Sequence, residues 1–379
     1  MQDLRICAVV GARPNFIKMA PLLEEMRSRP GIAPFLIHTG QHFSPEMSDS
    51  FFQELSMPQP DLNLGVGGGT QTEQTAEIMR RIERVFLDAA PAAVLVVGDV
   101  NSTMAAALVA AKLGISIAHV EAGLRSFDRT MPEEINRIVT DALSDFLFVT
   151  EPSGHQNLLA EGVPERKIFF TGNVMIDTLL RFRSKAAEST VIERLGLRRG
   201  GYAAVTLHRP SNVDHPAQLH ALVQLLKAVA AHLPVVFPVH PRTRARIEAE
   251  GMSTSEILCI PPLGYLDFLH LMSEARLVLT DSGGIQEETT ILQVPCLTLR
   301  ENTERPITIE QGSNRLVGTE PAVILEAVRA ILGEPPAARP VRVPELWDGR
   351  ASVRIVDVLE TALRAHASQL NPSQQAVPR

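Results

Sequence analysis

Acidic and phosphate-seeking residues in this sequence gather where apolar runs end. Asp99 follows the run Ala93–Val97, Glu121 follows Ser116–Val120, and Glu133 and Glu134 stand directly after Pro132. Grouped carboxylates can move a proton if burial and a neighbouring acid lift one of them toward neutrality. In the second half, His208-Arg209 follows Ala203–Leu207, His240 follows Val235–Val239, and Arg305 lies beyond Pro295–Leu299. The stretch from Leu277 to Glu288 predicts a buried strand ending at Thr280-Asp281-Ser282, then Gly283-Gly284 opening a helix. Glycines let a ligand approach the backbone closely, and the helix N-terminus offers unpaired N–H groups and a positive dipole end to phosphate. Glu288, about one turn past Gly284, is in reach of a ribose whose phosphates occupy the cap. Arg13 and Lys18 follow the first apolar run, Leu4–Val10.

Plainer roles exist for each. Glu133 and Glu134 could stabilise the N-terminus of their helix, and Glu133 could pair with Arg137 at (i, i+4). Asp99 could cap the helix that follows it, and Asp281 or Ser282 could do the same for theirs. Glu287 and Glu288 could form a solvated acidic face. His270 and His366 fit structural or surface positions. No histidine pairs with acids at zinc-ligand spacing, so no metal site is expected.

The elements needed to position these groups alternate. Strands are expected at Leu4–Val10, Phe35–Thr39, Ala93–Val97, Ser116–Val120 and Phe146–Val149, with helices from about Gly11 to Arg27, Ser102 to Leu113 and from Pro132 onward. The same alternation resumes after Gly172, with runs at Ala203–Leu207, Val235–Val239, Ile257–Ile260, Leu277–Thr280 and Pro295–Leu299. This predicts an α/β protein of two doubly wound, Rossmann-like lobes, residues 1–171 and 172–345, with the site in a cleft between them. A proline-rich connector, Gly333–Pro344, then leads to a helix over 351–367 and a disordered tail, 368–379.

At 379 residues the chain exceeds one ordinary core, and its hydrophobic content of 45% with few aromatics suits buried parallel strands. A net charge of −7 argues against nucleic acid as the main partner. No segment approaches a membrane span or a signal peptide, and Cys7, Cys259 and Cys296 are widely separated, which predicts a cytoplasmic protein with reduced thiols.

Several motifs occur together in one order: Gly11-Ala12-Arg13-Pro14-Asn15-Phe16-Ile17-Lys18, His119-Val120-Glu121-Ala122-Gly123-Leu124-Arg125, Pro132-Glu133-Glu134-Ile135-Asn136-Arg137, His208-Arg209, Asp281 to Glu288, and Thr303-Glu304-Arg305-Pro306. From Val9 to Val317 the chain thereby resembles the non-hydrolysing UDP-N-acetylglucosamine 2-epimerases. The resemblance implies a GT-B fold, a homodimer, and catalysis by Asp99, Glu121, Glu133 and His208. It also implies substrate contacts from Arg13, Lys18, Glu134, Arg137, Arg209, His240, Ser282, Gly283, Gly284, Glu288 and Arg305, with the roles of Glu133 and Glu134 open to exchange. The implied reaction eliminates UDP from a UDP-sugar as the C2 proton is removed, then adds it back. It involves no redox step, so no cofactor is expected, in keeping with the absent GxGxxG.

Many bacterial relatives carry Gln-His-Arg where Gln41-His42-Phe43 stands, a difference that counts against activation by a second substrate molecule. The stretches His38 to His42, Met47-Ser48-Asp49 and Asn63 to Gly67 look more like relatives acting on UDP-2,3-diacetamido uronic acids. Other readings are a hydrolysing epimerase, a GT-B glycosyltransferase and a nucleotide-sugar sensor.

Overall fold

The protein is described from a computed structural model covering residues 3–41, 52–335 and 342–370. It divides into two compact units, residues 1–178 with 345–379 and residues 179–344. The division falls inside the Val174–Ala186 helix, later in the chain than the break at Gly172 that the sequence suggests.

The first unit is built on seven parallel strands: β1 (Leu4–Val10), β2 (Ile32–His38), β3 (Leu62–Asn63), β4 (Ala93–Val97), β5 (Ser116–Val120), β6 (Phe146–Val149) and β7 (Ile168–Phe170). Their spatial order is β3-β2-β1-β4-β5-β6-β7. Val9 is opposite Ile37 on one side and Val96 on the other, so β1 is central and its side chains are buried on both faces. That double burial is why β4 is an unbroken apolar run and β1 is apolar apart from the exposed Arg5. Helices cover the sheet. Gln71–Ala89 turns Ile78, Ile82 and Phe86 inward at helical spacing, and its start is fixed by Thr70 and Glu73 capping each other's backbone. The last helix, Ala351–Leu370, packs on this unit through Ile355, Val356 and Leu359, beside the Arg13–Ser28 helix. Its first N–H groups, from Ala351 and Ser352, donate to Asp177 at 3.1 and 2.7 Å. It runs through Leu370, so the first three residues of the expected tail are helical, and the rest lie outside the described residues. The connector over 336–341 and the motif residues His42 to Asp49 lie outside them as well.

The second unit repeats the plan with β8 (Ala203–Thr206), β9 (Val235–Pro238), β10 (Leu258–Ile260), β11 (Leu277–Thr280), β12 (Cys296–Thr298) and β13 (Asn314–Leu316), in the order β10-β9-β8-β11-β12-β13. All these pairings are parallel. Each unit therefore has the Rossmann-like order in which the chain reverses direction across the sheet between its first and fourth strands. At such a reversal the two outgoing loops part and leave a crevice at the strands' carboxyl ends. In the first unit those loops carry Arg13 and Asp99; in the second they carry His208 and Ser282.

Among the described residues no helix is long and apolar enough to cross a membrane, and no group of three or more His, Cys, Asp or Glu could hold a metal. The cysteines are unpaired, and burial pushes the Cys7 and Cys296 thiols up to about 12.

Candidate active site

In the first unit, the loops after β1 and β4 are tied by one side chain. Asn15 accepts from the N–H groups of Gly11 and Ala12 and donates to the Val97 carbonyl at 2.9 Å. Gly11 is needed because a Cβ there would lie 1.9 Å from Ser102 Oγ. One turn beyond Asn15, Lys18 points at the end of β5 and its Nζ contacts Glu121 Oε2, both side chains being buried. Glu121 has φ 74°, a left-handed conformation unusual for a residue with a side chain. Such a residue carries strain of about 1–3 kcal/mol and persists where its surroundings over-determine it. Here the surroundings are the Lys18 ion pair and the Phe148 carbonyl, which accepts from the N–H groups of both Glu121 and Ala122. A side chain on Gly98 would come within 3.1 Å of Lys18 Nζ and 3.5 Å of Glu121 Oε2, so the bare glycine leaves room for the pair.

Behind β5 lies a second polar cluster. Fully buried His119 hydrogen-bonds Asp141 at 2.6 Å through Nδ1 and the Gly98 carbonyl at 2.9 Å through Nε2. The other Asp141 oxygen accepts from Gly123 N–H and pairs with Arg125 at 2.7 Å. Burial alone would raise the Asp141 pKa, but His119 and Arg125 outweigh it and hold the carboxyl below its ordinary range.

Pro132 starts the Pro132–Leu143 helix, which presents its two glutamates differently. Glu134 is buried and accepts from the N–H groups of Ser126 and Phe127 and from Arg137. Burial opposes its charge, yet those donors hold its pKa down. Glu133 is half-buried. Arg137 pairs with Glu134 at 2.8 Å and also with Asp99, while Asn136 donates to the Asp99 carbonyl. Asp99 does not cap the next helix, whose N-cap is Val100.

In the second unit Asp281 joins the loops after β8 and β11. Its carboxylate is fully buried and accepts from the N–H groups of His208 and Arg209 and from Asn212 Nδ2, while His208 Nδ1 lies 3.2 Å away. Burial would raise its pKa, but His208, Asn212 and the Arg209 amide together lower it. The sequence suggests a helix cap for Asp281; the structure uses its side chain across the crevice instead. Ser282 occupies the N-cap of Gly283–Leu292, with no hydrogen bond from its side chain to the helix. A Cβ on Gly283 would lie 2.3 Å from Arg305 Nη1, so the guanidinium lies directly over the glycine turn. Glu287 holds Arg305 Nε at 2.9 Å, and Glu304 lies on its other side. Gln286 fixes this loop by accepting from Thr303 Oγ1. Residues Ile285 to Ile291 are buried all round, so Glu287 and Glu288 do not form a solvated face. Glu288 accepts from the buried Tyr265 hydroxyl at 3.2 Å. Burial, reinforced by Glu288, drives the Tyr265 pKa well up.

A family model described as UDP-N-acetylglucosamine 2-epimerase matches residues 24–360. The chain belongs to the UDP-N-acetylglucosamine 2-epimerase family. A relative from Methanocaldococcus jannaschii named UDP-N-acetylglucosamine 2-epimerase is 42% identical over 94% of this chain and 99% of its own. A crystal structure of the UDP-GlcNAc 2-epimerase from that organism, in complex with UDP-GlcNAc and UDP, superposes with a TM-score of 0.87 at 41% identity, covering 94% of this chain and all of the other. A relative from Pseudomonas aeruginosa, named UDP-2,3-diacetamido-2,3-dideoxy-D-glucuronate 2-epimerase, is 42% identical over 87% of this chain and 93% of its own. A glycosyltransferase structure from Rickettsia africae, at 13% identity and a TM-score of 0.52, shares the fold alone. The protein is thus an epimerase with GT-B-like structural relatives.

Within this epimerase, two groups of the expected residues are brought together. Lys18 meets Glu121, and Asp99 meets Arg137, at the strand ends of the first unit; in the second, Arg305 lies over Gly283 of the Ser282-Gly283-Gly284 turn, and His208 lies against Asp281, the residue directly before that turn. Arg13 opens the Arg13–Ser28 helix and is half-buried. Glu134 and Arg137, expected against substrate, are engaged with each other and with the loop over 126–127. Arg209 donates from Nε to the Asp281 carbonyl, and His240 sits exposed at the end of β9, where its Nδ1 caps the next helix. Asn15, Asp141, Asp281, Glu287 and Tyr265 were not singled out for these roles. Asn15, Asp281 and Glu287 lie inside the quoted motifs, which is the available signal.

Proposed function

We propose that this epimerase interconverts UDP-GlcNAc and UDP-ManNAc without a cofactor. The observation that carries the reading is buried Glu121, strained at a strand end against Lys18, with the Asp99–Arg137 pair also at strand ends of that unit. The C2 hydrogen of an amino sugar is weakly acidic, so its removal is feasible only if another bond breaks with it. A carboxylate takes the C2 proton while the C1–O bond to the diphosphate breaks. The C–H electron pair becomes the C1=C2 double bond of a 2-acetamidoglucal, and UDP carries away the C1–O pair. Readdition of UDP with a proton delivered to the opposite face of C2 inverts that centre. Inversion needs acid–base groups for both faces, the part assigned to Asp99, Glu121 and Glu133. Charge grows on the departing diphosphate, the part assigned to the Ser282-Gly283-Gly284 turn, His208, Arg305 and Arg13, with Glu288 toward the ribose. Lys18 holds Glu121 in place.

A second reading is favoured by the Pseudomonas aeruginosa relative: the same chemistry on UDP-2,3-diacetamido-2,3-dideoxy-glucuronate. The family resemblance supports a homodimer, and the unpaired thiols fit the cytoplasm. The test is to supply each UDP-sugar to purified protein with no additive and separate the products. UDP-ManNAc from UDP-GlcNAc is expected. Turnover of the uronate alone would transfer the reading to the second substrate, and free ManNAc with UDP would make the enzyme a hydrolysing one.

A further inference from the structure

The buried Asp281 carboxylate has no part in the chemistry above, yet its contacts converge on one segment, His208 to Asn212. It is fully buried, whereas the His208 ring is 59% exposed. Its two amide contacts and Asn212 fix the backbone that carries the imidazole, and its Oδ1 lies 3.2 Å from His208 Nδ1. A carboxylate can only accept, so a hydrogen bond between the two requires the proton on this nitrogen. The ring is turned with Nδ1 toward the carboxylate, and Nε2 is the nitrogen left for a ligand. Asp281 is also the residue directly before the N-cap Ser282, which places the imidazole beside the glycine turn.

Resting on the reading proposed above, we propose that Asp281 is a positioning residue for His208. It fixes the backbone that carries the imidazole and holds Nδ1 toward the carboxylate, so that Nε2 is the nitrogen presented to the diphosphate as the C1–O bond breaks. No proton need leave the ring, because UDP departs with the bond's electron pair and returns with it. Asp281 thus does for this histidine what the aspartate of a catalytic triad does for its own. The arrangement also accounts for a buried anion where an uncharged cap would have sufficed for the helix. Arg209, Glu304 and Arg305 are the other charged groups in this neighbourhood.

The test uses the full chain labelled with 15N-histidine, with His208→Asn to assign the ring. Long-range proton–nitrogen spectra are followed to the alkaline limit of a titration, for wild type and Asp281→Asn. Wild-type His208 should keep its proton on Nδ1, and Asp281→Asn should move it to Nε2. Turnover should fall by about 10²-fold or more in Asp281→Asn, the range of a lost acid–base or charge-stabilising group. The double variant should be no slower than His208→Asn alone within about 3-fold, the signature of residues acting as a unit. Multiplying losses, or a wild-type proton on Nε2, would overturn the proposal. Should Asp281→Asn fail to fold, the wild-type spectrum still decides. A wild type that turns over no UDP-sugar would remove the proposed reaction, while the ring's tautomer would still report on the Asp281–His208 pair.

Discussion

Replacing Lys18 by Met removes the cation from a pair whose side chains are only 7% and 5% exposed. Met keeps most of the stem's volume, so the change isolates charge. At an effective dielectric near 20 and a normal ion-pair distance of about 3 Å, the attraction is about 5 kcal/mol. Glu121 is then left in its buried, left-handed position with its charge uncompensated. Breaking a buried pair on one side costs about 3–5 kcal/mol, whereas replacing both partners by uncharged groups is often close to neutral. Lys18→Met should therefore lose about 3–5 kcal/mol, and Lys18→Met with Glu121→Gln should recover most of it. Trp347, the chain's only tryptophan, is buried in the first unit with its indole N–H on the Thr150 carbonyl, so its fluorescence reports that unit's unfolding in urea. With a slope of about 2–3 kcal/mol per molar, the midpoint should fall by about 1–2.5 M in the single variant. A single variant within about 1 kcal/mol of wild type, or a double variant at least as unstable, would refute the argument that the pair is mutually dependent.

Three further expectations follow from the same geometry. Glu133→Gln should lower C2 hydrogen exchange by about 10²–10⁴-fold while leaving UDP affinity, measured by calorimetry, unchanged; retention of near wild-type exchange would remove Glu133 from the chemistry. Gly283→Ala puts a methyl group against the Arg305 guanidinium, which is buried and paired with Glu287, so that group is displaced and the Kd for UDP should rise by about 10-fold or more. Unchanged affinity would separate Arg305 from phosphate binding. Glu134, Asp141 and Asp281 have folded pKa values below their unfolded ones. Their stabilisation is thus complete above the ordinary carboxylate range near ~4 and is lost as pH falls through the lower folded values. The urea midpoint should drop steeply below about pH 4, and a midpoint level down to pH 3 would contradict the assignment.

How much was legible in the sequence depended on the range of the interaction. The bounds of β1, β4, β5 and β6 are plain because strands buried on both faces are largely apolar runs, interrupted here only by Arg5 in β1 and by Ser116 and His119 in β5. β3 and β13, short strands at the sheet edges, carry too few residues to show a period. The glycine turn was legible because Gly283 and Gly284 have a local meaning at a helix start. Asp281 was not, because its partners are about seventy residues away, and a local rule offers a helix cap first. Glu133 and Glu134 differ only in helical phase. The structure turns Glu134 toward the Ser126 and Phe127 amides, contacts made by a loop with no sequence period of its own. The acidic face of the Gly283–Leu292 helix could have been solvated; Arg305, brought from a later loop, is what allows Glu287 to be buried.

The central claim, elimination of UDP through loss of the C2 proton, is tested most directly by proton NMR of UDP-GlcNAc with the purified protein in D2O. The account predicts that deuterium enters at C2 as the UDP-ManNAc resonances grow. The same experiment with substrate carrying 18O in the C1–O–phosphate bridge should show the label scrambling into non-bridging positions. Epimerisation with the C2 hydrogen retained, or with the bridging oxygen never exchanged, would contradict it.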